Sequence, residues 1–302
     1  MKLYWRVRDG ERCDDKTKSC TEEISGFFDG LLSDSISWND YGTVIGANGE
    51  GKSTTFKLIL GLIGKEAGEM EVLGKKRECS NDGKQPEKEI LQQTGVVLAE
   101  TGFGSYFTIH DIIPFLEDLY PEFEKDKFLQ YCEEYKLPMN KKIKEFSTGM
   151  KRKLQIFAAI THKAKLLLLD EPTSGLDVVA REQMLTLLRE YMETEGRAIL
   201  ISSHLSGDLE TFCDDIYLIQ KGTITFHEEM DRLLDAYGLL KVSDEVYKKM
   251  DKSHIICRKK ENFGWSCLTD QKAYYQMHNP EIVIEKGSVD ELILLMAGGE
   301  RI

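Results

Sequence analysis

Apolar and polar positions along this chain predict strands and helices in alternation. The segment Tyr41–Leu62 contains a β-prone TVI run, then the glycine-rich turn GANGEGKST, then FKLILGLIG with apolar residues at helical spacing. We predict a strand, a loop and a helix there. Further on, LLLLDEP and AILISSH predict two buried strands, and the amphipathic stretch 178–193 between them predicts a helix.

Between residues 108 and 161 the pattern is mostly helical. The stretches IHDIIPFLEDLY, KDKFLQYCEEYKL and MKRKLQIFAAIT are separated by Pro121 and Pro138. Because strands alternate with helices on either side, we predict an α/β fold with a mainly parallel core sheet and a helical insertion over about residues 101–163.

The pattern changes past about residue 222. A helix is predicted at 228–237, a hairpin at HIICRKK, ENFG and WSCLTD, and a last helix starting near Ser288. A chain of 302 residues fits two domains. We predict a first domain at 1–225 and a small α+β appendage at 226–302.

Composition and charge narrow the class of protein. Hydrophobic residues make up 41% and charged residues 30%, as in ordinary globular domains. With 40 basic and 52 acidic residues the net charge is −12, so we expect no nucleic-acid partner. No apolar run approaches the roughly 20 residues that cross a bilayer, and the first residues do not resemble a signal peptide. The seven scattered cysteines predict reduced thiols.

The turn at 46–53 matches the phosphate-loop pattern GxxxxGK[ST]. Its glycines let backbone N–H groups converge on phosphate oxygens at a helix N-terminus. Lys52 is predicted to contact the β- and γ-phosphates, and Ser53 to ligate Mg²⁺. The predicted nucleotide-binding residues of this segment are Gly46, Asn48, Gly49, Gly51, Lys52, Ser53 and Thr54.

The apolar run at 166–169 ends in Asp170 and Glu171. An acidic pair after a strand is often an ordinary solvated turn. Next to a phosphate loop, however, Asp170 is the expected second ligand of Mg²⁺, and Glu171 is placed to polarise the attacking water.

With these motifs the sequence resembles the ATP-binding subunit of ABC transporters over most of residues 27–222. It also has a version of the family signature, FSTGM at 146–150, then SGLD at 174–177 and an isolated His204. The resemblance implies a P-loop cassette that binds ATP and Mg²⁺. The family forms head-to-tail dimers, which implies that the signature residues Ser147 and Gly149 of one subunit contact ATP held by another. Asp177 is a further nucleotide-binding residue implied by the resemblance. His204 would sense the γ-phosphate.

Several positions depart from the family pattern or stay open. Thr148 and Met150 replace signature residues. The family usually has a glutamine after the strand TGVVLAE, where Glu100 stands as the expected metal contact; Gln92 and Gln93 rank lower. Ser147 has the alternative role of a simple helix cap.

The aromatic segments near the motifs have two interpretations each, and a basic run beside the signature has one. Phe28 or its neighbour Phe27 either stacks on adenine or belongs to the core. The segment 100–114, with Phe103, Tyr106 and Phe107, either docks a membrane partner or is core. The run KRK at 151–153 predicts a solvated basic face that adds positive potential near the phosphates.

Two functions follow as hypotheses. In the first, the chain is the ATPase subunit of a bacterial-type transporter with a separately encoded permease, similar to exporters of antibiotics or peptides. It would pair with a second ATP-binding subunit, identical or paralogous, and lie in the cytoplasm at the inner face of the cell membrane. In the second, it is a soluble ABC-type ATPase acting on ribosomes or nucleic acid, which the acidic charge disfavours.

Overall fold

The computed structural model describes residues 5–6, 41–63, 69–77, 88–98, 102–203, 210 and 212–301. These residues form two compact units. The first comprises the described residues up to 203 together with 219–225, and the second comprises 210, 212–218 and 226–301. The boundary near residue 225 stays a prediction. The segment before residue 219 groups with the second unit, which the sequence pattern did not indicate.

The strands and helices of the described residues are numbered in chain order. The strands are β1 (Trp5–Arg6), β2 (Tyr41–Ile45), β3 (Glu69–Val72), β4 (Lys75–Arg77), β5 (Thr94–Val97), β6 (Leu166–Asp170), β7 (Ala198–Ser203), β8 (Asp215–Gln220), β9 (Thr223–Glu229), β10 (Gly238–Val242), β11 (Ile255–Glu261), β12 (Gly264–Thr269), β13 (Val283–Glu285) and β14 (Glu300–Arg301). The helices are α1 (Lys52–Ile59), α2 (Lys88–Gln92), α3 (Ile109–Leu119), α4 (Lys125–Glu134), α5 (Thr148–Ile160), α6 (Val178–Met192), α7 (Met230–Ala236), α8 (Asp244–Lys249), α9 (Lys272–His278) and α10 (Val289–Gly298), with a 3-10 turn at Ile143–Glu145 before α5.

The central sheet has the strand order β5-β6-β7-β2-β8-β9. The pairs β5 with β6, β6 with β7 and β7 with β2 are parallel. Residues along β6 and β7 are buried throughout, as expected for strands covered on both faces. A small antiparallel sheet, β1-β3-β4, lies in the same unit. The predicted parallel α/β core is confirmed.

Helices α3, α4 and α5 fill the predicted helical insertion. Thr108 begins α3 with a capping box, in which its hydroxyl accepts from the Asp111 N–H and the Asp111 carboxylate accepts from the Thr108 N–H. Helix α5 starts after Ser147 and buries its apolar side. In the chain, α5 comes directly before β6. The signature segment therefore precedes the acidic pair at the end of β6 by only about 20 residues.

The second unit has a five-stranded antiparallel sheet of order β13-β10-β12-β11-β14. With α8 and α9 it follows a split β-α-β-β-α-β arrangement, extended by α10 and β14. One core cluster includes Leu240, Tyr247, Cys267 and Tyr275. The hairpin of β11 and β12 turns at Gly264, whose φ of +143° and close approach to Val242 O require glycine. The predicted α+β appendage is confirmed.

Two further sequence expectations concern the described residues. None of the helices numbered above combines the length and the apolar character that crossing a bilayer requires. No disulfide links the four cysteines that the structure describes, which are all buried: Cys132, Cys213, Cys257 and Cys267.

Candidate functional site

The phosphate loop joins the end of β2 to the start of α1 and is shaped by its glycines. Gly49 and Gly51 have φ angles of +87° and +110°, which other residues rarely adopt. At Gly46 a Cβ atom would lie 2.6 Å from the carbonyl oxygen of Ile219, so the backbone approach itself requires glycine. The exposed Asn48 and Gly49 form the outer part of the loop. The turn therefore presents backbone N–H groups at a helix N-terminus, as anion binding needs.

Lys52 is buried and its ammonium lies inside this loop. Its Nζ donates to the carbonyl oxygens of Gly46 and Ala47, at 2.5 and 3.1 Å. Thr54 is half-buried in the first turn of α1. The lysine charge is thus held beside the backbone that the motif predicts to surround phosphate.

Ser53 and Asp170 meet across the carboxyl edge of the sheet. Ser53 Oγ donates a hydrogen bond of 2.6 Å to Asp170 Oδ2. Asp170 is 2% exposed, and its other oxygen, Oδ1, accepts a short hydrogen bond from the Ser202 hydroxyl. A hydroxyl and a carboxylate oxygen side by side form the donor set that Mg²⁺ prefers, so these residues fit a magnesium site.

Glu171 follows Asp170 with a left-handed backbone, at a φ of +51°. Its N–H donates to the Ser202 carbonyl oxygen at 3.1 Å and lies 3.2 Å from Ser202 Oγ. The residue is half-buried. The left-handed backbone of Glu171, the predicted base, turns the chain away from β6 directly after the strand ends.

The signature segment contacts the SGLD turn of its own chain. Ser147 caps α5 by accepting from the Met150 N–H at 3.2 Å. A Cβ on Gly149 would lie 3.1 Å from the Gly175 carbonyl oxygen, and one on Gly175 would lie 3.0 Å from Thr148 Cγ2. Ser147 thus caps α5, which is the alternative role that the sequence left open, and its side chain is also exposed.

Asp177 is the N-cap of α6 and accepts from the Ala180 N–H at 2.9 Å. It is exposed, like Val178 and Val179, of which 78% and 68% are accessible. The two exposed valines therefore place apolar surface beside the exposed carboxylate at the end of the SGLD turn.

One sequence interpretation is wrong in part. The run at 151–153 predicts a solvated basic face, yet Arg152 is buried and its Nη1 donates to the Leu98 carbonyl oxygen at 3.1 Å and to Gln155 at 3.2 Å. Burial lowers the pKa of the Arg152 guanidinium, while the charges of Asp170 and Glu171 oppose that change. The helical spacing could have predicted the burial of Arg152, because position 152 lies on the same face of α5 as the buried Ile156.

Other predicted residues are placed as follows. Gln92 and Gln93 donate to backbone carbonyl oxygens, of Leu119 and of Glu89, each at 3.2 Å. Four of the predicted residues lie outside the described part of the chain, and their roles stay predictions: Phe27, Phe28, Glu100 and His204.

The segment after residue 102 shows an exposed aromatic patch, formed by Tyr106, Phe107 and Phe115. The rings of Phe107 and Phe115 stack with centroids 5.5 Å apart. Phe103 is half-buried, whereas 71% of Tyr106 is accessible. The core interpretation of this segment therefore does not hold for Tyr106.

Sequence reasoning missed Ser202. It stands in the apolar run of β7, directly opposite Asp170 in the parallel register. The signal was a small polar residue inside a buried strand, since such a residue needs a hydrogen-bond partner.

Comparison with known proteins gives consistent results. The family model described as ABC transporter matches residues 33–174. The bacitracin transport ATP-binding protein BcrA of Bacillus licheniformis is 30% identical over 63% of this chain and 60% of its own length. The lantibiotic transport ATP-binding protein SrtF of Streptococcus pyogenes is 30% identical over 62% of this chain and 78% of its own length.

The match also extends to solved structures. The ATP-binding subunit of an ABC transporter has a TM-score of 0.58 and 25% identity, covering 67% of this chain and 85% of that one. The matched part of the chain spans about three fifths of the length of several curated relatives, 58% for one and 64% for another. The family implied by the motifs is confirmed: this chain belongs to the ABC transporter ATP-binding proteins.

Proposed function

We propose that the chain binds and hydrolyses ATP at a composite dimer interface and so powers transport through a separate membrane permease. The observation that carries this proposal is the hydrogen bond between Ser53 and Asp170. It brings the hydroxyl of the phosphate loop to the carboxylate of the acidic strand, beside the buried Lys52.

The loop residues bind the triphosphate. The N–H groups of the loop and of the first turn of α1 donate to phosphate oxygens. Lys52 exchanges the carbonyl oxygens of Gly46 and Ala47 for phosphate oxygens, which are stronger partners because they are charged. Ser53 and Asp170 would hold Mg²⁺, and the bound ion would neutralise charge that develops on the phosphate oxygens.

Glu171 accepts the proton of the attacking water. The water oxygen forms a bond to the γ-phosphorus while the bond from that phosphorus to the bridging oxygen of ADP breaks, releasing phosphate. The half-buried position of Glu171 beside Asp170 supports this role.

The second subunit completes the site. Ser147 is exposed at the N-terminal end of α5, where backbone N–H groups and the helix dipole favour an anion. Asp177 is exposed at the N-terminal end of α6. Val178 and Val179 add exposed apolar surface to the same region. The partner is a second copy or a paralogue.

The aromatic patch is the proposed contact with the permease. Apolar surface of this kind marks protein interaction sites. Lys142 and Lys144 lie over the Tyr106 ring, at 5.9 and 4.8 Å from its centroid, so basic side chains border the patch. Two relatives are named for transport of bacitracin and of a lantibiotic. That supports antibiotics or peptides as cargo and a position at the inner face of the cell membrane.

Purification of the full chain from detergent-solubilised cells tests the proposal. We expect a hydrophobic integral-membrane protein to co-purify and phosphate to be released from ATP with Mg²⁺ but not with EDTA. Ribosome or DNA association without a membrane partner would instead support the alternative function. Binding of ATP without any phosphate release would contradict the proposed hydrolysis.

A further inference from the structure

Ser202 lies in β7 between two neighbouring strands of the central sheet. It is the parallel register partner of Asp170 and also of Val44 on β2, so it separates the strand that ends in the acid pair from the strand that leads into the phosphate loop. Its side chain is 0% exposed. A hydroxyl buried to this degree must satisfy its hydrogen bonds within the protein.

The direction of each hydrogen bond at Ser202 Oγ is fixed by its partner. The Glu171 backbone N–H is a donor, so Oγ accepts it, over 3.2 Å. The carboxylate of Asp170 is an acceptor, so the hydroxyl hydrogen points to Oδ1. One hydroxyl thereby connects the predicted metal ligand to the backbone of the predicted base.

This arrangement gives the two oxygens of Asp170 different tasks. Oδ1 is held by Ser202 in the interior, and Oδ2 faces Ser53 Oγ at 2.6 Å. A carboxylate with one oxygen fixed cannot rotate freely about its terminal torsion. Hydrogen bonds of this kind orient metal ligands and strengthen metal binding.

The same residue supports the strained turn at Glu171. The left-handed region is unfavourable for a non-glycine residue, because the Cβ atom comes too close to the following carbonyl oxygen. Here the N–H of that residue bonds to the Ser202 carbonyl oxygen as well as approaching Oγ. Ser202 thus holds the backbone from which the Glu171 side chain projects.

We propose that Ser202 is a positioning residue for magnesium and for the base: it presents Asp170 Oδ2 to the cation and fixes the Glu171 backbone. The inference rests on the proposed ATP hydrolysis. It assigns a role to a residue outside the nucleotide motifs.

Ser202→Ala removes only the hydroxyl and tests the proposal. The matched control is Thr43→Val, which removes an equally buried hydroxyl from the adjacent β2; Thr43 Oγ1 donates to the Ile201 carbonyl oxygen at 3.4 Å. ATP affinity is measured calorimetrically on the full chain, in EDTA and across a magnesium titration. Phosphate release and thermal midpoints are measured in parallel.

For Ser202→Ala we expect ATP binding in EDTA to match the original chain, while the magnesium concentration at half-effect rises about 10 to 100-fold. The turnover number should fall by a similar factor. Ser202→Cys keeps a weak donor on a somewhat larger atom, so its values should be intermediate even if the alanine variant fails to fold.

Unchanged magnesium dependence in Ser202→Ala, or an equal loss in Thr43→Val, would overturn the role of Ser202. The proposed function fails separately. If the original chain releases no phosphate, hydrolysis is lost as a function, while the magnesium titration of ATP binding still decides whether Ser202 orients Asp170.

Discussion

Ser53 Oγ donates a 2.6 Å hydrogen bond to Asp170 Oδ2, although 117 positions separate these residues in the sequence. The parallel order β6-β7-β2 explains the contact, because parallel strands bring their carboxyl ends to the same edge of the sheet. The phosphate loop follows β2 and the acid pair ends β6. Ser202, near the end of β7, lies between them and bonds to the acid pair.

Lys52→Ala should abolish most ATP binding. The ammonium is the positive charge that the structure places inside the phosphate loop, against Gly46 and Ala47. We expect at least about a tenfold loss of affinity in a filter-binding assay, equivalent to about 1.4 kcal/mol. Lys165→Ala changes an exposed lysine of the same unit and should bind ATP normally. Normal binding by Lys52→Ala would contradict the phosphate-loop model.

Glu171→Gln should bind ATP but hydrolyse it at least about a hundredfold more slowly, since general-base catalysis contributes on the order of 10² to 10⁴ in rate. The bound, uncleaved nucleotide should trap a dimer on a sizing column. Glu195→Gln, an exposed substitution, serves as the control. Turnover at the original rate in Glu171→Gln would remove the assigned base.

Gly149→Leu should prevent dimer closure while the monomer still binds ATP. Even a Cβ at this position lies 3.1 Å from the Gly175 carbonyl oxygen and from Leu176 Cδ2, so a larger side chain displaces the SGLD turn or projects into the interface. The readout is ATP-dependent dimerisation in the Glu171→Gln background. Gly298→Ala, whose Cβ meets nothing within 4 Å, should leave dimerisation unchanged. If the Leu variant both binds ATP and dimerises, the composite site is wrong.

Arg152→Met should destabilise the first unit without adding a steric conflict. The buried guanidinium bonds to the Leu98 carbonyl oxygen and to Gln155, and methionine keeps its apolar stem but not these bonds. We expect the free energy of unfolding to fall by about 1 to 3 kcal/mol in urea titrations. Lys151→Met alters an exposed neighbour and should cost much less. Equal stability of both variants would restore the solvated interpretation of Arg152.

His162 should make stability fall in mild acid. Burial lowers the pKa of its imidazole from the ordinary 6.5 and outweighs the opposing effect of the Ala158 carbonyl oxygen, which lies 2.9 Å from Nδ1. The unfolded chain therefore takes up a proton at pH values where the folded chain does not. The free energy of unfolding should be constant for this group above about pH 7 and fall below pH 6.5, by at most about 1.4 kcal/mol per pH unit.

Urea titrations at pH 7.5 and 5.5 measure this effect. His162→Phe keeps an aromatic ring against Tyr120, whose centroid lies 3.9 Å away. That variant should lose part of the pH dependence, whereas His110→Gln, at an exposed position, should keep it. An identical pH dependence in His162→Phe would show that another group is responsible.

The sequence by itself determined the local chemistry and the order of elements. The spacing of Gly46, Gly51 and Lys52 sets a phosphate loop because backbone torsions and charge act over a few residues. The apolar run before Asp170 predicts a buried strand, and the last segment predicts a helix starting near Ser288; both are observed. These features depend on neighbours along the chain, so a pattern reveals them.

Only the tertiary structure decided which distant residues share the site. Ser202 meets Asp170 because two strands are register partners, and Arg152 is buried because α5 lies against the end of β5. The close approach of Gly149 to Gly175 likewise joins the first turn of α5 to the SGLD turn that follows β6. Pairing between strands and packing of helices depend on contacts between residues far apart in sequence, which no local pattern specifies.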